Sequence, residues 1–234
     1  MQTRKRKGDL LRDSEIRAAL RSKLHSIHFS EPDTSIIDEL SLCQGEARVD
    51  MAVVNGFLSG YEIKSDRDKL VRLPHQLSVY ELCFDTMTAV VGSRHVNECR
   101  GILPPCWGIW EAIAEEPNEI TIEIRREPSA NHGISPNCVV QLLWRQEAFD
   151  ALQKLGGKPS ANATRKELWA ALVSEVTSER LFEIVRGQIR ARGDWRSGPT
   201  PFRGDGLSRS VSMSQHSREN RRWLLSTVSR HHPD

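Results

Sequence analysis

Three side chains have the types and spacing to hydrolyse an anionic ester. Asp50 interrupts an otherwise apolar run, Val49-Asp50-Met51-Ala52-Val53. Glu62 and Lys64 stand two apart in Tyr61-Glu62-Ile63-Lys64-Ser65. Residues two apart on a strand face the same way, so Glu62 and Lys64 share one face while Tyr61, Ile63 and Ser65 take the other. Asn55-Gly56 lies between the two runs and is a strong hairpin signal. A hairpin closed there pairs residues whose numbers add to about 111–113, which brings Asp50 opposite Glu62. Two carboxylates that close repel, and one pKa rises unless a cation sits between them. A hard divalent ion with oxygen ligands, Mg²⁺ or Mn²⁺, meets that demand. Lys64 beside it can orient a water or offset charge developing on a phosphate.

Other residues join or stand aside. Gln76 and Tyr80 are spaced i, i+4 and fall on one helix face; they read either as partners of the acids or as polar groups at the core edge. Glu15 is a further candidate acid on the first helix, or an ordinary exposed one. Glu39 is a candidate ligand or a surface charge at a strand end. A carboxylate buried without a partner is costly, so Asp50 in its apolar strand points to function. Ser65, Asp66 and Arg67 form a turn into the next helix, where Ser65 could touch a phosphate. His75 and His95 have no partner at metal-ligand spacing and read as structural or surface.

Asp50, eleven intervening residues, Glu62-Ile63-Lys64 and then Gln76-xxx-Tyr80 resemble the PD-(D/E)XK nuclease superfamily, the restriction-endonuclease-like fold. Within it they are similar to the RecB-like branch, which carries a Gln-xxx-Tyr pair. The proline that names the motif is absent, since Val49 precedes Asp50. The chain also resembles uncharacterised bacterial proteins with the same Glu-Ile-Lys-Ser-Asp core. The resemblance spans roughly residues 13–92 and extends over the strands out to 126. It implies an αβββαβ core around a central mixed sheet. It implies Mg²⁺ or Mn²⁺ held by Asp50, Glu62 and the carbonyl of Ile63, with Glu15 completing the site through water. Lys64 would be catalytic, and Gln76 and Tyr80 would support the site and contact substrate. The implied activity is hydrolysis of DNA phosphodiester bonds, in defence, repair or mobile-element biology. RNA is not separated from DNA, and a homodimer is compatible. The alternative is a catalytically silent fold of this type that binds nucleic acid or protein.

The elements that must position these residues follow from periodicity. Residues 13–25 predict a helix capped by Asp13 or Ser14, with Ile16, Ala19, Leu20 and Leu24 on one face. Strands are predicted over 34–40, 47–54, 58–65, 86–92, 107–112 and 119–126. A helix is predicted over 69–82, with Pro74 in its first turn or at a kink, and a short one over 93–99. Three helices follow over 138–155, 164–174 and 178–192. The organisation expected is a basic arm over 1–12, an α/β domain over 13–130, a helical module over 138–195 and an Arg- and Ser-rich disordered tail over 196–234, with a short helix over 218–229. Residues 158–169 resemble, faintly, a SAP-type helix-extension-helix DNA-binding motif. Trp107, Trp110, Trp144 and Trp169 read as core rather than base-stacking platforms.

Charge is uneven although the net is only +2 over 234 residues. Arg4, Lys5, Arg6 and Lys7 crowd the start, and residues 186–234 hold ten Arg against four acids. The body between carries a net negative charge, so the basic ends are either solvated termini or arms for phosphate. No run of 18 apolar residues exists, which excludes a membrane-spanning helix. MQTRKRKGDL has no apolar segment behind it, which argues against a secretory leader. Five widely spaced cysteines without a CxxC pair argue against disulfides and zinc, and for a reducing cytoplasm.

Overall fold

The computed structural model describes residues 10–31, 33–115 and 119–192. Helix α1 (Asp13–Ile27) buries Ile16, Leu20 and Leu24, the stripe its periodicity marks. Its start differs from the expectation: Arg12 is the N-cap, and the Glu15 carboxylate reaches back to accept from the Arg12 backbone N–H at 2.8 Å. Asp13 is drawn instead to Arg17, its i+4 partner. Six strands follow: β1 (Ser35–Leu42), β2 (Ala47–Val54), β3 (Leu58–Lys64), β4 (Thr86–Gly92), β5 (Gly108–Glu115) and β6 (Glu119–Arg126). They form one mixed sheet in sequence order. β1, β2 and β3 are an antiparallel meander, β4 and β5 run parallel to β3, and β6 turns back antiparallel.

The β2–β3 hairpin pairs Met51 with Tyr61 and Val54 with Leu58, as the sequence register requires. Its loop is three residues rather than two, and the Asn55 side chain accepts from the Phe57 N–H at 2.9 Å. Alternation then divides the sheet. Met51, Val53, Tyr61, Ile63, Val90, Trp110 and Ala112 join Ile16, Leu20 and Leu24 of α1 in one core. Each such aliphatic side chain contributes about 1.5–3 kcal/mol by leaving water. Glu62 and Lys64 therefore point to the other face. There lies α2 (Leu73–Tyr80), entered through a 3-10 turn over Leu70–Arg72 with Pro74 in its first turn. Helix α3 (Val96–Ile102) links β4 to β5.

The remaining helices are α4 (Pro136–Val139), α5 (Arg145–Lys154), α6 (Arg165–Glu175) and α7 (Ser178–Ala191). The single helix expected over 138–155 is broken at Leu143, which is extended (ψ 134). Trp169 Nε1 donates to the Leu143 carbonyl at 3.1 Å, so a tertiary bond claims an acceptor that a continuous helix would have used. Arg145 of α5 donates to the carbonyls of Ala161 and Ala163, fixing the loop before α6. Trp107, Trp110 and Trp169 are buried, whereas Trp144 is exposed. Residues through Ala191 make one compact unit. The basic arm over 1–9, the tail from 193 and its helix over 218–229 lie outside the described residues. All five cysteines are free thiols. Among the described residues no helix is long and apolar enough to cross a membrane.

Candidate functional site

Asp50 occupies a gap in the sheet. On the β3 side the ladder ends at Met51–Tyr61, so Asp50 and Glu62 are in register but past the last pair. The strands splay there, and the Asp50 carboxylate bridges the opening: Oδ2 accepts from the Ile63 N–H at 2.8 Å. On the β1 side, Asp38 pairs with Met51 and Leu40 with Val49, while Glu39 between them has φ 52 and drops out of the ladder. Its carboxylate meets Arg48 at 3.3 Å, which places it at the surface. Arg17 of α1 fills the gap, donating from Nη1 to the Asp50 carbonyl at 2.9 Å and from Nη2 to Asp50 Oδ1 at 2.7 Å. Burial works against the Arg17 charge, but Asp50 and Asp13 outweigh it and raise its pKa.

Glu62 lies at the centre of a second web and is 2% exposed. Its Oε1 accepts from Lys64 Nζ at 2.6 Å and from Gln76 Nε2 at 2.7 Å, and its Oε2 lies 2.8 Å from the Tyr80 hydroxyl. Gln76 also accepts from Lys64 Nζ at 3.1 Å. The glutamine amide offers both an acceptor for the ammonium and a donor for the carboxylate. The Tyr80 hydroxyl is 2.9 Å from the Arg48 carbonyl, so its one proton serves either oxygen, while Gln76 Nε2 donates back to it at 3.2 Å. Burial raises the Glu62 pKa and the Asp50 charge adds to the rise; Lys64 opposes both without cancelling them. Burial and the Glu62 charge push the Tyr80 phenol far up, so it stays a donor.

Glu62, Lys64, Gln76 and Tyr80 are thus bonded to one another, while Asp50 is bonded to Arg17 and to the Ile63 N–H between Glu62 and Lys64. Glu15 does not join them. Its carboxylate caps α1, and side chains two apart on a helix diverge by about 200°, so the face that carries Arg17 to Asp50 is not the face of Glu15. Among the described residues no group of three or more His, Cys, Asp or Glu side chains is placed to hold a metal ion, so a Glu15–Asp50–Glu62 ligand trio is not assembled. Ser65 is turned inward: its N–H and hydroxyl both donate to Asp68 Oδ2 at 2.7 Å. His95 is 3.8 Å from Glu98 and away from the acids. Arg17 is the residue that sequence reasoning missed; the only signal was a cation one helical turn from Asp13 on the polar side of α1.

Comparison with known proteins adds a lineage. A profile of the family described as Bacteriophage P4 protein cII matches residues 6–197. Protein cII of Enterobacteria phage P4 is 26% identical over 185 residues, which cover 79% of this chain and 69% of that protein. Among solved structures, a protein of unknown function from Silicibacter pomeroyi aligns with a TM-score of 0.40 at 20% identity, covering 62% of this chain and 90% of that one.

Proposed function

The chain belongs to the family of bacteriophage P4 protein cII, and we propose, from the geometry of its acids, that it is a metal-dependent nuclease of mobile-element biology that hydrolyses phosphodiester bonds of DNA. The observation that carries this reading is the buried Glu62 bonded to Lys64, Gln76 and Tyr80, with Asp50 on the neighbouring strand bonded to the Ile63 N–H between Glu62 and Lys64. The order α1, β1, β2, β3, α2, β4, with an antiparallel meander followed by a parallel strand, supports a restriction-endonuclease-like core.

The donor set suits a hard cation. Burial, with the Asp50 charge added to it, keeps Glu62 harder to ionise than a free acid even beside Lys64, and a bound cation would relieve that. Asp50, Glu62 and the Ile63 carbonyl are the groups that would hold Mg²⁺ or Mn²⁺, which when bound supplies electrophilic pull on the phosphate and a more acidic water. Lys64 donates to Glu62 and Gln76 and keeps a third proton for a water or a phosphate oxygen. Gln76 and Tyr80 are positioning residues that fix the Glu62 carboxylate. Arg17 holds Asp50 and neutralises it when no other cation does so.

The same ion pairs favour a second reading, a silent fold that binds nucleic acid or protein, because Arg17 and Lys64 already occupy both acids. Supercoiled plasmid and single-stranded DNA, each incubated with Mg²⁺, Mn²⁺ or EDTA, separate the two. A nuclease cuts with a divalent ion, stops in EDTA and is abolished by Lys64→Ala. It also gains thermal stability from the divalent ion, a gain that Asp50→Asn removes. No cutting and no divalent shift would leave the binding module.

A further inference from the structure

The loop between the two halves of the cluster has a character that its composition hides. Residues 65–72, Ser-Asp-Arg-Asp-Lys-Leu-Val-Arg, run from the end of Lys64 to the start of the helix that carries Gln76. Counting gives three cations against two acids, but both carboxylates are engaged by donors within the fold. Asp68 accepts from the Ser65 N–H and hydroxyl. Asp66 accepts from the Leu11 N–H at 2.9 Å through Oδ2 and from the Arg94 N–H at 3.2 Å through Oδ1. The bare Cα of Gly92 makes room for it, since a Cβ there would lie 2.3 Å from Asp66 Oδ1. Leu70 is buried, which anchors the loop. Arg67, Lys69 and Arg72 are left exposed. Asp66 also ties in Leu11 and Arg94, so the exposed Arg12 and Arg94 side chains leave the backbone beside the same carboxylate. None of the five makes an ion pair among the described residues. They stand past the carboxyl ends of the parallel strands β3 and β4, the side on which open α/β sheets bind ligands.

We propose that Arg12, Arg67, Lys69, Arg72 and Arg94, gathered around the Asp66 carboxylate, form a rim that grips the phosphate backbone of nucleic acid and leads it to Lys64. Asp66 is the keystone, since its two backbone bonds bring three segments of chain to one place. The rim takes its ligand from the nuclease reading but stands on its own geometry. Exposed cations without an ion pair among the described residues stand on backbone segments tied together through Asp66, which suits a polyanion and gives sequence-independent contact.

The test is binding of a fluorescent 20-base-pair DNA duplex by the full chain, in EDTA, across a series of KCl concentrations. Each phosphate contact contributes about 0.9 to the slope of log affinity against log salt. Arg67→Gln/Lys69→Gln/Arg72→Gln should reduce that slope by about two to three and weaken binding at least tenfold at the lowest salt. Lys154→Gln/Lys158→Gln/Lys166→Gln, an equal change of charge on exposed lysines of the helical segment, should leave the slope unchanged. Neither set removes an internal bond, so thermal melting reports that both proteins are folded. A rim variant that binds like the parent, a control that loses as much, or a parent that does not bind overturns the proposal. Binding without cutting in any divalent ion would sink the nuclease and keep the rim; cutting with an unaffected rim variant would do the reverse.

Discussion

A buried carboxylate beside a second carboxylate keeps its charge only through the donors that face it. Glu62 has an ammonium, an amide and a phenol, and burial still holds its pKa above the ordinary value. A raised acid binds its proton more readily in the folded chain, so stability is full below the unfolded pKa and falls as pH rises through the folded one. We therefore expect Glu62→Gln to gain in melting temperature relative to the parent as pH rises to 7. The gain should vanish in acid below the ordinary carboxylate range, and differential scanning fluorimetry across pH reads both. Tyr80 donates to Glu62 and lowers its pKa. Under the nuclease proposal, Tyr80→Phe should move the acid limb of DNA cleavage to higher pH, which a pH series of plasmid nicking would show.

Helices and strands place these groups through ties that one-dimensional pattern does not carry. Asp66 is held by amides from the chain before α1 and the turn after β4. Gly92→Ala drives a methyl into that carboxylate, and overpacking of this kind costs about 1–3 kcal/mol. Urea denaturation should show that loss without a change in slope. The strands and α1 were legible because alternation and the 3.6 period mark buried stripes directly. Two local features were not. The N-cap moved to Arg12 because Glu15 reaches back, and the helix expected over 138–155 broke because Trp169, 26 residues beyond Leu143, takes the Leu143 carbonyl. Both outcomes depend on which acceptor finds a donor, which periodicity does not encode.

At the scale of the molecule, the helices after the sheet are fastened to it by Arg186 of α7. Its guanidinium donates to Asp85 Oδ1 at 2.6 Å and to the Gly56 carbonyl at 3.0 Å, while Asp85 Oδ2 accepts from the Leu58 N–H. Arg186→Ala leaves a largely buried carboxylate with one partner fewer and should cost about 2 kcal/mol. Circular dichroism and tryptophan fluorescence should still report one shared transition, because residues through Ala191 form one compact unit. Removal of residues 196–234 should leave that midpoint unchanged and, under the DNA-binding proposal, weaken DNA binding, since seven arginines go with it. Equal affinity for both lengths would exclude the tail from binding.

Side-chain alternation and a hairpin signal were enough to place Asp50 across from Glu62, to set Lys64 on the same face and to bring Gln76 and Tyr80 to one helix stripe, because all of these are short-range consequences of backbone period. Tertiary structure alone decided that Arg17 clamps Asp50, that Glu15 turns away to cap its own helix, and that two aspartates of the 65–72 loop accept hydrogen bonds within the fold while its cations make no ion pair among the described residues. Those outcomes join segments as far as 55 residues apart. They are settled by which buried donor each carboxylate can reach once the chain has folded, a competition that no local spacing records.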